Sequence, residues 1–452
     1  MGLISEMFPQ VSPEWQVHLW EHPQARGGCL FSVRHGYTNP ISTELACLLR
    51  SMTGAVRCED IAHSLQLQLP ADAIRELLQK AIEQLASEGI VECSDFPRPA
   101  RSFPPPVRHY HRLSFLQTQL TNRCNLHCSH CYARSEGKGD KGPPRDVICR
   151  LIDEFVSLGG LKLFLTGGEP LLRPDLEEII AYARSRYLYV YLSTNAYAMT
   201  PEKAERLVSL GVRAVNVSLD GADSTTHDAF RQREGSFERV LSAVDAFLAQ
   251  KIACGVQTTL HRKNLHQAVE ILNMMRPKGV SASYFVRMMP TGRALENEEL
   301  IPTMEEFRLA VTEVYRARRL RYNESVYPEV NALLEPSRRC TAAVSQMYVR
   351  ADGRCFACPA LDTDTMCLGR YPEESLEEIW TRDTGPLAAL RSFDSLTIPH
   401  CQGCEHQPVC KGGCAGNALN YHGDWRQHDP HFCITMNVRK EVAAMPIPAA
   451  AG

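Results

Sequence analysis

The sequence predicts an α/β protein: a partial (β/α)6 TIM-like barrel, preceded by a winged-helix-like domain and followed by a cysteine-rich C-terminal domain. Three observations lead there. Between Ser114 and Met288, six short apolar runs alternate with helical patterns, as a parallel sheet with crossover helices requires. Ahead of them, three helical segments close on the strand-like Ile90-Val91. Behind them, nine of the chain's 18 cysteines fall between Cys340 and Cys433.

Composition bounds the possibilities. At 452 residues, the prior is roughly three domains of about 150 residues each. Hydrophobic residues make up 44%, charged residues 22%, and the formal net charge is −3, values of an ordinary globular protein. Such a balance lends no support to general nucleic-acid binding. Met1 to Gln16 carries no basic segment followed by an apolar run, no stretch approaches the roughly 20 apolar residues of a membrane span, and Gly2 lacks the downstream Ser or Thr of a myristoylation signal. The expectation is a cytoplasmic, reducing compartment, no membrane, and cysteines that bind metal or do redox chemistry rather than form disulfides.

The elements follow in order. Residues 1–96 are expected to form the winged-helix-like domain. Gln16 to Val33 alternates as a small hairpin would. Ser42 caps a helix carrying Leu45, Leu48, Leu49 and Met52 and stopped by Gly54. Glu59 to Leu65 is a second helix, and Ile74, Leu77, Leu78, Ala81, Ile82 and Leu85 mark a third, ended by Gly89. Residues 97–107 hold Pro97, Pro99, Pro104, Pro105 and Pro106 and form a stiff linker. Residues 108–325 carry the runs Phe115 to Leu120, Leu161 to Leu165, Leu188 to Leu192, Ala214 to Leu219, Cys254 to Leu260 and Ser283 to Met288. Helical patterns lie between them: Val147 to Leu158, Asp175 to Arg186, Pro201 to Leu210, Phe237 to Gln250 and Leu265 to Met275. Residues 326–452 contain the second cysteine group and end in a small-residue tail, Pro446 to Gly452, expected to fray. In a parallel barrel the chemistry sits at the carboxyl ends of the strands, and polar or glycine-rich residues follow the runs here: Thr121-Asn122, Thr166 to Glu169, Ser193 to Asn195, Asp220-Gly221.

After the first run the chain reads Cys124-Asn-Leu-His-Cys128-Ser-His-Cys131-Tyr132, a C-x3-C-x2-C spacing. Three thiolates on one loop are one short of a tetrahedral zinc site or a fully ligated four-iron cluster, and leave a metal position open. Zinc would have to recruit His127 or His130. The spacing, closed by the aromatic Tyr132, resembles the radical S-adenosylmethionine (SAM) enzymes. That resemblance implies a [4Fe-4S] cluster on Cys124, Cys128 and Cys131 whose open iron holds S-adenosyl-L-methionine. Reductive cleavage of that cofactor yields a radical able to abstract a hydrogen atom from the substrate.

Further motifs fall in register. By the same resemblance, Thr166-Gly167-Gly168-Glu169-Pro170 contacts the cofactor amino group. Ser193, Asn195, Ser218 and Asp220 lie near its ribose and methionine ends, and Arg231 in His227-Asp-Ala-Phe-Arg231 pairs with its carboxylate. Taken alone, Gly-Gly-Glu-Pro would read as a tight turn.

Cys340 is followed by twelve residues, Gly353, four residues and Cys358, then by Cys401-x2-Cys404-x5-Cys410-x3-Cys414 and, after eighteen residues, Cys433. Out of context a zinc ribbon would explain the first pair. The seven positions resemble the SPASM extension, an Fe-S cluster-binding domain of peptide-modifying radical SAM enzymes. The resemblance implies a distal auxiliary [4Fe-4S] cluster on Cys401, Cys404, Cys410 and Cys433 and a proximal one on Cys340, Cys358 and Cys414, three clusters in all. The proximal cluster is one ligand short: either Cys355 supplies it, or the site is open to a substrate thiolate. The other cysteines, Cys29, Cys47, Cys58, Cys93, Cys149, Cys254 and Cys367, read as small buried hydrophobes.

A winged-helix-like domain joined to these two resembles enzymes that mature ribosomally made peptides. There, a domain similar to the pyrroloquinoline-quinone peptide chaperone pairs an exposed strand with the leader of the precursor peptide. A DNA-binding winged helix is the alternative, but Ala73 to Glu88 has no basic excess. The implied partners are a precursor peptide and a reductant such as flavodoxin or ferredoxin. Thioether formation is the leading chemistry. Carbon-carbon crosslinking, backbone modification, cofactor or haem biosynthesis, and a non-catalytic Fe-S redox protein are the alternatives. Sulfatase maturation is a further one, disfavoured because Pro359 stands where those enzymes carry a proton-accepting Asp directly after the second proximal cysteine. No catalytic side chain is assignable at this level.

Overall fold

The computed structural model describes residues 7–22, 25–64, 71–104, 106–108, 111–322, 324–326 and 339–446. It contains two compact units, one of residues 1–114 with 150–162 and 182–189, the other of residues 115–149, 163–181 and 190–452. Of the tail, residues 447–452 lie outside the described set, as does Leu65 at the end of the expected second helix.

The first unit holds β1 (Phe8–Val11), β2 (Trp15–His22), β3 (Ala25–Ser32), β4 (Thr38–Ile41), three helices (Thr43–Ser51, Cys58–Ser64, Ala71–Ser87) and β5 (Val91–Ser94). The first helix starts where the sequence places it, with the Ser42 hydroxyl accepting from the Leu45 amide at 3.1 Å. Leu49, Met52, Ile61, Leu78 and Ile82 pack into one apolar core with Val11, Val17 and Val91. β1 pairs antiparallel with β5, so the helices close on a two-stranded ribbon. The expected hairpin is β2–β3, and β4, which alternation did not reveal, adds a third antiparallel strand. β4 is short and largely exposed and carries Pro40 without a donor, which only an edge strand tolerates. The opposite edge is partly covered: the Val107 amide donates to the Leu19 carbonyl at 2.8 Å, and the Glu21 amide to the Val107 carbonyl at 3.0 Å. Hence the proline-rich segment is bonded to this unit, with Arg101 buried and donating to the carbonyls of Val11, Ser12 and Trp15.

The second unit is built on a sheet ordered β11-β10-β9-β8-β7-β6-β12-β13-β14. Six strands, β6 (Phe115–Gln119), β7 (Lys162–Thr166), β8 (Tyr189–Thr194), β9 (Val212–Ser218), β10 (Ala253–Leu260) and β11 (Ala282–Arg287), lie in sequence order as the βα alternation predicts. The described pairs among β8, β9, β10 and β11 are parallel. The sheet then continues through the cysteine-rich region. β12 (Gln346–Val349) runs parallel to β6, and β13 (Arg354–Phe356) and β14 (Gly369–Arg370) fold back antiparallel. The long helix Met304–Tyr322 and the C-terminal helix Pro430–Ala443 pack together over Leu260, Val311, Val314 and Val438. A break splits the last expected barrel helix, which starts as a short 3-10 turn, Leu265–Gln267, before Ala268–Met275.

Candidate functional site

The carboxyl ends of the barrel strands and the C-terminal region enclose a cavity of about 720 Å³ within the second unit. Cys124, Cys128 and Cys131 lie on its wall. The loop that carries them is held from several sides. The Gly168 amide donates to the Thr121 carbonyl at 2.7 Å, and the Glu169 amide to the Arg123 carbonyl at 2.8 Å. A Cβ on Gly168 would fall on that Arg123 carbonyl, so the Gly-Gly-Glu-Pro turn needs glycine to reach the cysteine loop itself. From another side, Arg293 donates to the carbonyls of Cys128 (2.8 Å) and Ser135 (2.7 Å). Beneath it, His130 stacks on Phe230 with ring centroids 4.6 Å apart, and Phe230 stacks on His261 at 3.8 Å. His130 is thus part of the packing, and burial pushes its pKa well below the ordinary value.

Seven of the nine cofactor positions expected from the sequence line the cavity: Tyr132, Gly167, Gly168, Ser193, Asn195, Ser218 and Arg231. The other two do not. Glu169, buried behind the wall, accepts from the Thr194 hydroxyl (2.7 Å), the Asn195 amide (2.7 Å) and the Leu171 amide (3.0 Å). Its carboxyl is raised by burial and held down again by these donors. Asp220 is likewise buried, accepts from the Thr259 amide at 2.7 Å and forms an ion pair with Arg231 at 2.5 Å. Both carboxylates are satisfied by the chain's own groups, so in this structure they shape the wall rather than face the cavity. Arg231 also donates to the Cys128 sulfur at 3.5 Å. Burial opposes its charge, but Asp220 and Cys128 outweigh burial and raise its pKa. Asn195 donates to the Cys124 sulfur at 3.5 Å and to Asn125 at 2.9 Å.

The C-terminal cysteines sort into two groups. Cys340, Cys358 and Cys414 are mutual electrostatic neighbours, as are Cys401, Cys404, Cys410 and Cys433, which surround a pocket of about 90 Å³. Asp429 joins the groups. Its carboxylate caps the helix Pro430–Ala443 through the His431 and Phe432 amides and accepts from the Cys414 amide at 3.0 Å, so that Cys414 and Cys433 are tied to one buried residue. Gly413, at φ 72°, permits this: a Cβ there would stand 2.6 Å from that of Asp429. Cys355 belongs to neither group. It is fully buried, its charged neighbours are Cys367, Glu374 and Asp352, and the expectation that it completes the proximal set meets a side chain placed elsewhere. Strand alternation is the reason, since Cys355 lies within β13 whereas Cys358 follows its end.

Burial pushes the thiol of Cys124 up to about 12, Cys410 to about 11 and Cys433 to about 12, with neighbouring thiols adding to it in each case. Thiols clustered in this way suit a metal centre, whose charge would release their protons. The donor sets therefore fit iron-sulfur clusters, open at the three-cysteine loop and closed at the four-cysteine pocket.

Sequence reasoning missed Asp362. It is the single carboxylate among the described residues lining the cavity, and Arg350 holds it at 3.1 Å. Burial raises its pKa while Arg350 opposes the rise; burial also raises the phenols of Tyr132 and Tyr348 nearby, and the Asp362 charge adds to that. No linear signal marked it, because a three-residue turn, Pro359–Leu361, separates it from Cys358.

An open cluster loop at the rim of a parallel barrel, followed by two further cysteine groups, defines a radical SAM enzyme with auxiliary clusters. The Radical SAM superfamily model matches residues 118–275, and the SPASM iron-sulfur cluster-binding domain matches residues 340–405. An AdoMet-dependent heme synthase of Methanosarcina barkeri is 30% identical over 337 residues, covering 70% of this chain and 95% of that protein. Mycofactocin maturase MftC of Mycobacterium tuberculosis is 29% identical over 308 residues, 66% of this chain and 77% of that one. Among solved structures, Streptococcus suis SuiB bound to precursor peptide SuiA superposes with a TM-score of 0.63 at 16% identity, over 94% of this chain and 99% of that one. This chain belongs to the radical SAM superfamily and carries a SPASM domain; it is an enzyme that uses S-adenosyl-L-methionine and [4Fe-4S] clusters. No helix among the described residues is long and apolar enough to cross a membrane.

Proposed function

We propose that this enzyme modifies a ribosomally made precursor peptide by radical chemistry, forming thioether crosslinks from cysteine sulfur to carbon. The observation that carries the reading is the open edge of β4 in the first unit. A leader segment can add there as a strand, with backbone hydrogen bonds giving affinity and tethering raising the local concentration of the core peptide. The likeness to SuiB takes in 94% of the chain, and so the N-terminal fold as well as the barrel.

Within the site, Cys124, Cys128 and Cys131 would hold the SAM-binding cluster, Cys340, Cys358 and Cys414 the proximal cluster, and Cys401, Cys404, Cys410 and Cys433 the distal one. When bound, these groups supply hydrogen-atom abstraction and an electron sink. Tyr132, Gly167, Gly168, Ser193, Asn195, Ser218 and Arg231 form the cofactor wall. Asp362, the carboxylate on the cavity wall, would take the proton that the attacking thiol gives up. A flavodoxin or ferredoxin in a reducing cytoplasm is the reductant in this reading.

The test is coexpression with candidate precursor peptides encoded by short reading frames adjacent to the gene, followed by intact mass and thiol alkylation. A peptide that loses a pair of hydrogens per crosslink and resists alkylation supports thioether formation, and free thiols in a modified product overturn it. A second reading, modification of a tetrapyrrole side chain, is favoured by the 30% identity to the heme synthase. Conversion of a tetrapyrrole with no change in the peptide would replace the first reading with the second.

A further inference from the structure

Four charged side chains besides histidine and cysteine line the cavity: Arg231, Arg287, Asp362 and Arg439. Arg231 is paired with Asp220 and Asp362 with Arg350. Arg287 and Arg439 have no carboxylate within ion-pair distance among the described residues. Glu306, a carboxylate that acts on Arg287 from beyond ion-pair distance, is bonded to Arg262 at 3.0 Å.

Arg287 is nevertheless fixed in place. Its Nε donates to the Pro302 carbonyl at 2.9 Å, Nη2 donates to the same oxygen, and Nη1 donates to His431 Nε2 at 3.1 Å. A guanidinium has five N–H groups and no acceptor, so His431 must accept here, and among the described residues one N–H on each terminal nitrogen of Arg287 has no partner. Arg439 donates through Nε to the Val326 carbonyl and lies over the Tyr315 ring, 5.4 Å from its centroid, and among the described residues its terminal nitrogens have no hydrogen-bond partner. Helical spacing places Phe432, Thr435 and Arg439 on the cavity side of Pro430–Ala443, while Cys433, Met436 and Asn437 of the same helix line the four-cysteine pocket. Two braced guanidiniums that have no ion-pair partner among the described residues, set in a concave site, attract anions and match carboxylates in geometry.

We propose that Arg287 and Arg439 form a carboxylate-binding subsite, so that the substrate of this enzyme carries acidic groups, which the subsite orients toward the cluster loop. The inference rests on reading the cavity as the substrate chamber and deepens the proposed function. In a peptide the carboxylate is that of an Asp or Glu side chain or the C-terminus; in a tetrapyrrole it is a propionate.

The test measures equilibrium binding to the anaerobically reconstituted full-length enzyme with S-adenosyl-L-methionine present. Two probe pairs are compared: a synthetic glycine-glutamate peptide against its glutamine counterpart, and iron coproporphyrin against its methyl ester. The expected result is an acid form bound roughly tenfold more tightly than its neutral partner in at least one pair. That preference should fall to about threefold or less in Arg287→Gln and in Arg439→Gln, with cofactor affinity and far-UV circular dichroism retained. Arg439→Gln guards against misfolding, because that side chain makes a single hydrogen bond to the backbone. Preference in the peptide pair supports both the subsite and the peptide reading. Preference in the tetrapyrrole pair alone supports the subsite and removes the peptide reading. Equal binding of acid and neutral forms, no binding of either pair, or an acid preference that survives both substitutions overturns the subsite.

Discussion

The three-cysteine loop and the four-cysteine pocket are made of the same donor atom and differ in what surrounds it. At the first, the thiols open on a cavity of about 720 Å³, and Arg231 and Asn195 donate to two of the sulfurs. At the second, four thiols close on a pocket of about 90 Å³, with no cationic side chain donating to sulfur among the described residues. In both, burial first, with neighbouring thiols adding to it, pushes a thiol pKa up, at Cys124 in the loop and at Cys433 in the pocket, and a bound metal would offset that rise. Hydrogen bonds to sulfur and access to solvent are among the levers that set the potential of a cluster. The contrast therefore teaches that one group of thiols opens on a chamber with room for other molecules, while the other closes on its own four sulfurs and meets solvent chiefly at Cys404.

The largest effect should come from the open site. Replacing Cys124, Cys128 and Cys131 together by alanine is expected to reduce 5'-deoxyadenosine formation to background, while iron bound by the C-terminal groups persists by elemental analysis. Retained cofactor cleavage would dissolve the distinction between the sites. Next, Asp362→Asn should leave cofactor cleavage intact and lower substrate modification by about 10²–10⁴-fold, the usual worth of a general base. The pH profile adds a second readout. Because burial raises the Asp362 pKa above the ordinary carboxylate value, the wild type loses modification as pH falls through that raised pKa, and the acid limb should vanish in the variant.

Gly413→Ala tests the rigidity of the closed side. With φ at 72° and Asp429 in the way, it should cost about 2–3 kcal/mol in denaturant unfolding and loosen iron at the proximal and distal groups before the loop. Iron lost first from the loop would reverse the comparison. The smallest effect is expected from Cys355→Ala. Iron content and visible spectrum should be unchanged, with about 1 kcal/mol of stability lost from a small buried void. Loss of cluster iron in that variant would instead make Cys355 the missing proximal ligand.

Much of this was legible in the linear chain. Both cysteine patterns, the order of the six barrel strands and the helix capped by Ser42 depend on neighbours a few residues apart, and the apolar periodicities that mark them are local. β4 and β12 escaped because short strands with mixed exposure leave no alternation long enough to read. Glu169 and Asp220 stand at the strand ends that the sequence marks, and the structure turns their carboxylates into the wall, a direction that a strand-end position does not specify.

What the sequence by itself determined is the inventory: three cysteines spaced for an open cluster, seven more spaced for auxiliary centres, and a barrel to carry the first set. Only the tertiary structure decided which groups converge. It set Cys355 beside Cys367, drew Arg231 onto Asp220 and Cys128, brought Asp362 to the cavity, and left Arg287 and Arg439 there with no ion-pair partner among the described residues. Ligand spacing within a loop is written in covalent geometry. Convergence of side chains from β11, the C-terminal helix and the turn after Cys358 depends on long-range packing, which no local pattern encodes.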